Sequence, residues 1–178
     1  MPNNNFRHHS VRIQDFDYSQ PGAYFVTICA WQKTLLFGEI TKGIVHLSRL
    51  GEIAKQELER LPHKFSGIQM DTFVVMPNHI HMLITISGND AAIQTANSEA
   101  FKHPVAGSIP TIVRTYKASV TRRVVLLRVN PVFKVWQRNY YEHVVRNSKE
   151  YERISAYIAA NPVQWDSDDE NPAGRSQV

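Results

Sequence analysis

The chain has 178 residues, of which 43% are hydrophobic, and a single cysteine, Cys29. That length supports one domain around one sizeable core, and the lone thiol excludes an intrachain disulfide. The net charge of +4 decides little about partners until its distribution is read, and no apolar run approaches the ~18 residues of a membrane-spanning helix.

Residues 1–20 are polar and irregular, with Arg7, His8, His9 and Arg12, and read as an N-terminal arm. They lack the apolar segment of a signal peptide, so a cytoplasmic protein is expected. After the turn signal Pro21-Gly22, residues 23–31 are rich in β-branched and aromatic side chains and predict the first strand. A short hairpin across Lys42-Gly43 joins residues 37–40 to 44–47. Ser48 can then cap a helix in which Leu50, Ile53, Ala54, Leu58 and Leu61 recur at helical spacing, with Pro62 ending it. Residues 68–75 and 79–86 predict two buried strands around the tight turn Met76-Pro77-Asn78. Residues 87–107 read as a loop.

From Ser108, with Pro110 in the first turn, Ile109, Ile112, Val113, Tyr116, Val120, Val124 and Leu127 make the apolar face of a second helix. Residues 133–145 are aromatic-rich and predict a fourth core strand. Asn147-Ser148 offers a cap for a last helix with Tyr151, Ile154 and Ile158 as its buried stripe, ended by Asn161-Pro162. The order predicts an α+β protein: a ferredoxin-like split βαβ sandwich, its antiparallel sheet carrying two helices on one face, plus the C-terminal helix. Residues 21–165 form the expected domain and residues 166–178 an acidic tail.

Between Ala100 and Tyr141 there is no Asp or Glu, while Lys102, Arg114, Lys117, Arg122, Arg123, Arg128, Lys134 and Arg138 fall there. A polyanion, nucleic acid first, is the natural partner of such a surface. Arg114, Lys117, Arg122, Arg123, Arg138 and Arg146 are the candidate DNA contacts. Tyr140, Tyr141 and Trp136 are candidates for stacking on unpaired bases, with Trp136 better suited to the core.

His79 and His81 stand two apart on a predicted strand, on the same face and ~6–7 Å apart along the chain, so both rings can converge on one divalent cation. By itself H-x-H is a weak motif, and a pair of satisfied strand histidines explains it better. On the last helix Tyr157 and Asn161 are four residues apart and share one side. Alone, they read as a border aromatic and a helix-ending amide. Together, the four residues describe a cation with open positions for phosphate oxygens beside a hydroxyl nucleophile. A phenol with its ordinary pKa near ~10 needs help to lose its proton at neutral pH.

The segments 22–27, Val74-Val75-Met76-Pro77-Asn78-His79-Ile80-His81, 112–117, 136–147 and Tyr157-Ile158-Ala159-Ala160-Asn161-Pro162 resemble, in that order, the HUH single-tyrosine transposases, a family that includes the IS200-like enzymes. The branch most similar is the REP-associated tyrosine transposases, whose closing motif is Tyr-Ile-x-x-Asn-Pro. The resemblance implies binding of single-stranded or hairpin DNA at palindromic repeats, and divalent-metal-dependent cleavage and rejoining through a 5′-phosphotyrosine. It assigns Tyr157 as nucleophile and His79, His81 and Asn161 as ligands of Mg²⁺ or Mn²⁺. His143 matches a family position too, as a residue that either supports the site or contacts DNA. A monomer is implied, the dimer of insertion-sequence relatives being the alternative.

A non-catalytic single-strand binder on the same fold would explain the basic stretch and the aromatics, but not the four site residues. A histidine-triad hydrolase would need a histidine where the chain has Leu83, and a two-histidine phosphoesterase would need a second copy of the motif.

Overall fold

The computed structural model describes residues 17–88, 105, 107–127, 134–168 and 170–172. The N-terminal arm, most of the 87–107 loop and the end of the tail therefore lie outside the described residues. Strands β1 (Gly22–Cys29), β4 (Ile68–Val75), β5 (His79–Ile86) and β6 (Tyr141–Val145) form one antiparallel sheet in the order β4-β5-β1-β6. With helices α1 (Arg49–Glu59) and α3 (Ile109–Leu126) as the crossovers, this is the ferredoxin-like split βαβ arrangement expected from the sequence. The hairpin β2 (Gly38–Thr41) and β3 (Ile44–Leu47) makes a separate small sheet. Its two-residue turn holds Lys42 at φ 52° and Gly43 at φ 75°, the left-handed pair that matches the twist of the flanking strands.

The pleat divides the sheet between two different tasks. Tyr24, Val26 and Ile28 of β1 and Ile80, Met82 and Ile84 of β5 point to one face. There they meet Ile53, Ala54 and Leu58 of α1 and Ile112, Tyr116 and Val120 of α3 in the main core. The alternate residues Phe25 and Leu83 face the other way and pack under Ile154 and Ile158 of α4 (Ser148–Ala160). Ser48 and Ser108 cap α1 and α3 by accepting from Gly51 N and Thr111 N, as their positions before the apolar periodicity predict. Gly51 is needed for a second reason: a Cβ there would lie 2.0 Å from the Phe37 carbonyl oxygen. The α1 periodicity stops at Glu59, and Pro62 sits inside a short helix α2 (Leu61–Lys64) rather than at the end of α1.

The fourth strand is shorter than predicted. Only Tyr141–Val145 pairs with β1, and Trp136 makes an isolated bridge to Ala30. Between them the chain is bent by one side chain, the Lys117 ammonium, which donates to the carbonyls of Gln137, Arg138 and Asn139 at 2.9, 3.3 and 3.1 Å. Carbonyls turned toward a common cation are not spent on a neighbouring strand, so residues 137–139 do not extend the ladder of β6. Trp136 is a core residue. Its ring packs on Phe37 and Tyr116, and its indole N–H donates to the Lys117 carbonyl.

The described end of the N-terminal segment is folded in. Tyr18 is 4% exposed, its carbonyl receives the Ile109 N–H, and the Tyr24 hydroxyl donates to the Gln20 carbonyl. No helix among the described residues is long and apolar enough to cross a membrane.

Candidate active site on the second face of the sheet

His79, His81, Thr27 and Phe25 share the face that α4 covers, because register pairs Thr27 with His81 and Cys29 with His79. Both imidazoles are fully buried, with ring centroids 4.5 Å apart. Their Nε2 atoms approach to 3.1 Å, while the Nδ1 atoms are tied outward, His79 to Asn78 Oδ1 at 2.9 Å and His81 to Thr27 Oγ1 at 2.8 Å. The Asn78 amide N–H₂ donates to the carbonyls of Lys33 and Glu170, so its Oδ1 must accept and His79 Nδ1 must carry the proton. In the neutral ring this leaves the lone pair on His79 Nε2, the nitrogen that faces His81. The Thr27 hydroxyl both donates and accepts, so it satisfies His81 in either tautomer.

Tyr157 comes to the same point from α4. Its hydroxyl lies 3.3 Å from His81 Nε2. Its ring stands edge-on to Phe25, which also stacks at a tilt on His81. Helix α4 is fixed at its start by a cap: Asn147 Oδ1 accepts from Glu150 N, and Glu150 returns one carboxylate oxygen to Arg146 N and the other to His143 Nε2 at 2.9 Å. Burial would raise the Glu150 carboxyl, but the hydrogen bonds from Arg146 N and His143 outweigh it and hold it below its usual range. His143 thus braces α4, the helix that carries Tyr157, against β6. One and a half turns before Tyr157, Tyr151 is bonded to Asp71, and burial followed by the Asp71 charge pushes its phenol up.

The segment after α4 closes the site. Asn161 is 1% exposed; its amide N–H₂ donates to Asp168 Oδ2 at 3.0 Å, and its Oδ1 is buried with no hydrogen-bond partner among the described residues. Ligand atoms of His79, His81 and Asp168 all lie within 4.8 Å of one another. The Trp165 ring lies 6.1 Å from that of His79. Glu170, 2% exposed, is held by Lys33 at 2.5 Å, and its carbonyl takes the Asn78 amide at 2.7 Å. The acidic tail, as far as it is described, turns onto the histidine face and not onto α3.

This donor set fits a divalent cation. Two imidazole nitrogens 3.1 Å apart match neighbouring vertices of an octahedron with bonds of about 2.1 Å, which are about 3 Å apart. A buried amide oxygen without a donor costs about 1–3 kcal/mol, a penalty that a cation relieves.

The basic residues fall into two groups. Arg114, Arg122, Arg138 and Arg146 are exposed. Lys117 and Arg123 belong to the fold. The three carbonyls engage Lys117, and burial pushes its ammonium down to about 8. Arg123 donates to Glu57 and Gln56 of α1. The sequence reading missed Asp168, Thr27 and the orienting role of Asn78. The cross-strand partner of His81 was available in principle from the pairing of the two strands; nothing in the acidic run around Asp168 distinguished it from a solvated tail.

No protein-family model matches the sequence. An uncharacterized protein of Haemophilus influenzae is 38% identical over 168 residues, covering 90% of this chain and 92% of that protein. A second protein of Haemophilus influenzae, described as a candidate REP-associated tyrosine transposase, is 26% identical over 150 residues, covering 83% of this chain and 74% of its own length. Among solved structures, a REP-associated tyrosine transposase bound to a REP hairpin superposes with a TM-score of 0.58 at 18% identity, over 86% of this chain and 72% of the other, a likeness of fold. The ordered motifs, the second relative and the shared fold agree in what this chain is similar to, the REP-associated tyrosine transposases.

Proposed function

We propose that the protein binds single-stranded or hairpin DNA formed by palindromic repeats, and cleaves and rejoins it through Tyr157 with a divalent cation, Mg²⁺ or Mn²⁺. The observation that carries this reading is the 3.3 Å approach of the Tyr157 hydroxyl to His81 Nε2, between groups 76 residues apart. His79, His81 and Asn161 would hold the cation, with open positions left for phosphate oxygens. When bound, the cation neutralises charge that builds on those oxygens.

Tyr157 is half-buried beside the imidazoles and held at its ring edge by Phe25. Its Oη attacks the scissile phosphorus, the bond from phosphorus to the 3′ oxygen breaks, the phenol gives up its proton, and the departing oxygen takes one up as a 3′-hydroxyl. Energy of the phosphodiester is conserved in the phosphotyrosine, so a second 3′-hydroxyl can reverse the step. Phe25, Ile154 and Ile158 restrain the phenol, supplying orientation rather than chemistry. Arg114, Arg122, Arg138 and Arg146, exposed, are the proposed phosphate contacts, giving salt-sensitive binding. The protein acts as a monomer in this reading, since the chain that supplies the histidines also supplies the tyrosine.

The test is a labelled palindromic hairpin incubated with Mn²⁺. A slowly migrating covalent protein-DNA species is expected on a denaturing gel, lost in Tyr157→Phe. Adduct undiminished in that variant would move the nucleophile elsewhere, and binding without any cleavage would leave a nucleic-acid-binding protein.

A further inference from the structure

We infer that Asp168, carried by the segment beyond the catalytic helix, is a direct carboxylate ligand of the cation that His79 and His81 hold. The inference rests on the proposed cation site and adds to it a residue that lies outside the HUH and Tyr-Ile-x-x-Asn-Pro motifs.

Three independent observations point to it. A carboxylate oxygen of Asp168 and the ligand atoms of both histidines lie within 4.8 Å of one another, a range that a small movement brings to the ~3–4.2 Å between vertices of one octahedral shell with bonds of about 2.1 Å. Next, the Asp168 carboxylate is half-buried and receives hydrogen bonds from the Asn161 amide and Glu170 N, while no lysine or arginine pairs with it among the described residues. An anion drawn in beside two imidazoles, without a lysine or arginine to pair it, is relieved by a cation. Lastly, the segment is built to hold Asp168 there. Glu170, buried, is pinned by Lys33, and its carbonyl is bonded to Asn78, the same amide that orients His79. One side chain thus sets both an imidazole and the strap that bears the carboxylate.

The bond between Asn161 and Asp168 then has a chemical purpose. With its N–H₂ donated to the carboxylate, the Asn161 amide is fixed so that its Oδ1, buried and without a donor, remains to face a cation. Two imidazoles, a carboxylate and an amide oxygen form a mixed set suited to a hard divalent ion, and the carboxylate cancels one of its two charges. Affinity for the ion rises, at the expense of some of its electrophilic strength.

Direct ligation is separated from mere bracing by placing a thiolate at the position. Cys29 is the cross-strand neighbour of His79, so Cys29→Ser is included in every protein. In Asp168→Cys loaded with Co²⁺ we expect a thiolate-to-cobalt charge-transfer band in the near ultraviolet, absent from the parent and from the exposed control Asp166→Cys. Asp168→Asn is expected to weaken Mn²⁺ binding at least tenfold by electron paramagnetic resonance titration, which covers the case in which the cysteine variant fails to fold. Cobalt bound by the imidazoles, shown by d–d bands that His79→Ala abolishes, with no charge-transfer band in Asp168→Cys, would overturn the inference and leave the proposed function standing. A parent protein that binds neither Co²⁺ nor Mn²⁺ would overturn both.

Discussion

The two faces of the central sheet are made of alternate residues from the same strands, yet they are built for opposite ends. On the α1 and α3 face, Val26, Ile28, Ile80 and Met82 are fully buried against apolar helix positions. Charges at its margin are met locally, Glu57 by ion pairs with Arg60, Lys64 and Arg123, and the Lys117 ammonium by hydrogen bonds to three carbonyls. On the α4 face, one residue along each strand, Thr27, His79 and His81 are as deeply buried but lie beside Tyr157 and Asp168, the latter bonded to Asn161. There, buried Asn161 Oδ1 has no hydrogen-bond donor among the described residues. A buried oxygen without such a donor does not by itself separate the faces, since Glu142 Oε2, on the residue opposite Val26, is another; what separates them is that His79, His81, Tyr157 and Asp168 are gathered from three segments to one place.

Substitutions on the two faces should therefore separate activity from stability. The largest effect is expected on the α4 face: Tyr157→Phe should remove the covalent DNA adduct altogether while shifting the thermal midpoint little, because the ring and its edge contact with Phe25 remain. His79→Ala or His81→Ala should abolish metal-dependent cleavage with hairpin binding largely kept, read by gel shift beside the cleavage gel; full cleavage in a chelator would refute the metal role.

On the other face the expected losses are in stability. Lys117→Met removes the donor of three carbonyls and should cost about 2–3 kcal/mol in denaturant unfolding, since a hydrogen bond from a charged group contributes about 1.5–3 kcal/mol and two of the three bonds here are exposed to water. Salt dependence of DNA binding should stay as it was, whereas Arg114→Ala should flatten it.

Glu57 gives a smaller effect with a sign in pH. Burial alone would raise its carboxyl, but hydrogen bonds from Lys64 and Arg123, the Lys64 charge and a hydrogen bond from Arg60 hold it below the ordinary value. Its folded pKa lies under its unfolded one, so its contribution is complete above the unfolded pKa and is lost as pH falls through the folded value. Glu57→Gln should cost about 2 kcal/mol near neutrality, a gap that narrows as unfolding is followed from about pH 6 to about pH 3. Smallest is Asn147→Ala, which removes the α4 cap that Glu150 N uses and should cost about 1 kcal/mol. A fall in cleavage larger than that loss of stability would mean that the cap also sets the position of Tyr157.

By itself, the sequence determined the strands, the three long helices and the two-residue hairpin turn, because apolar period, capping residues and turn chemistry act over a few residues and need no partner. It also carried His79 with His81 and Tyr157 with Asn161, each pair defined by the spacing of a single element. What only the tertiary structure decided depends on contacts across long stretches of chain. Lys117 bends residues 137–139 and so shortens β6, Arg123 turns to Glu57, and the acidic run after Asn161 folds back so that Asp168 reaches the histidines. A lysine held by carbonyls and a lysine facing solvent are spelled alike, and so are an aspartate in a tail and one beside an imidazole pair. Their surroundings are set by packing, which no local pattern encodes.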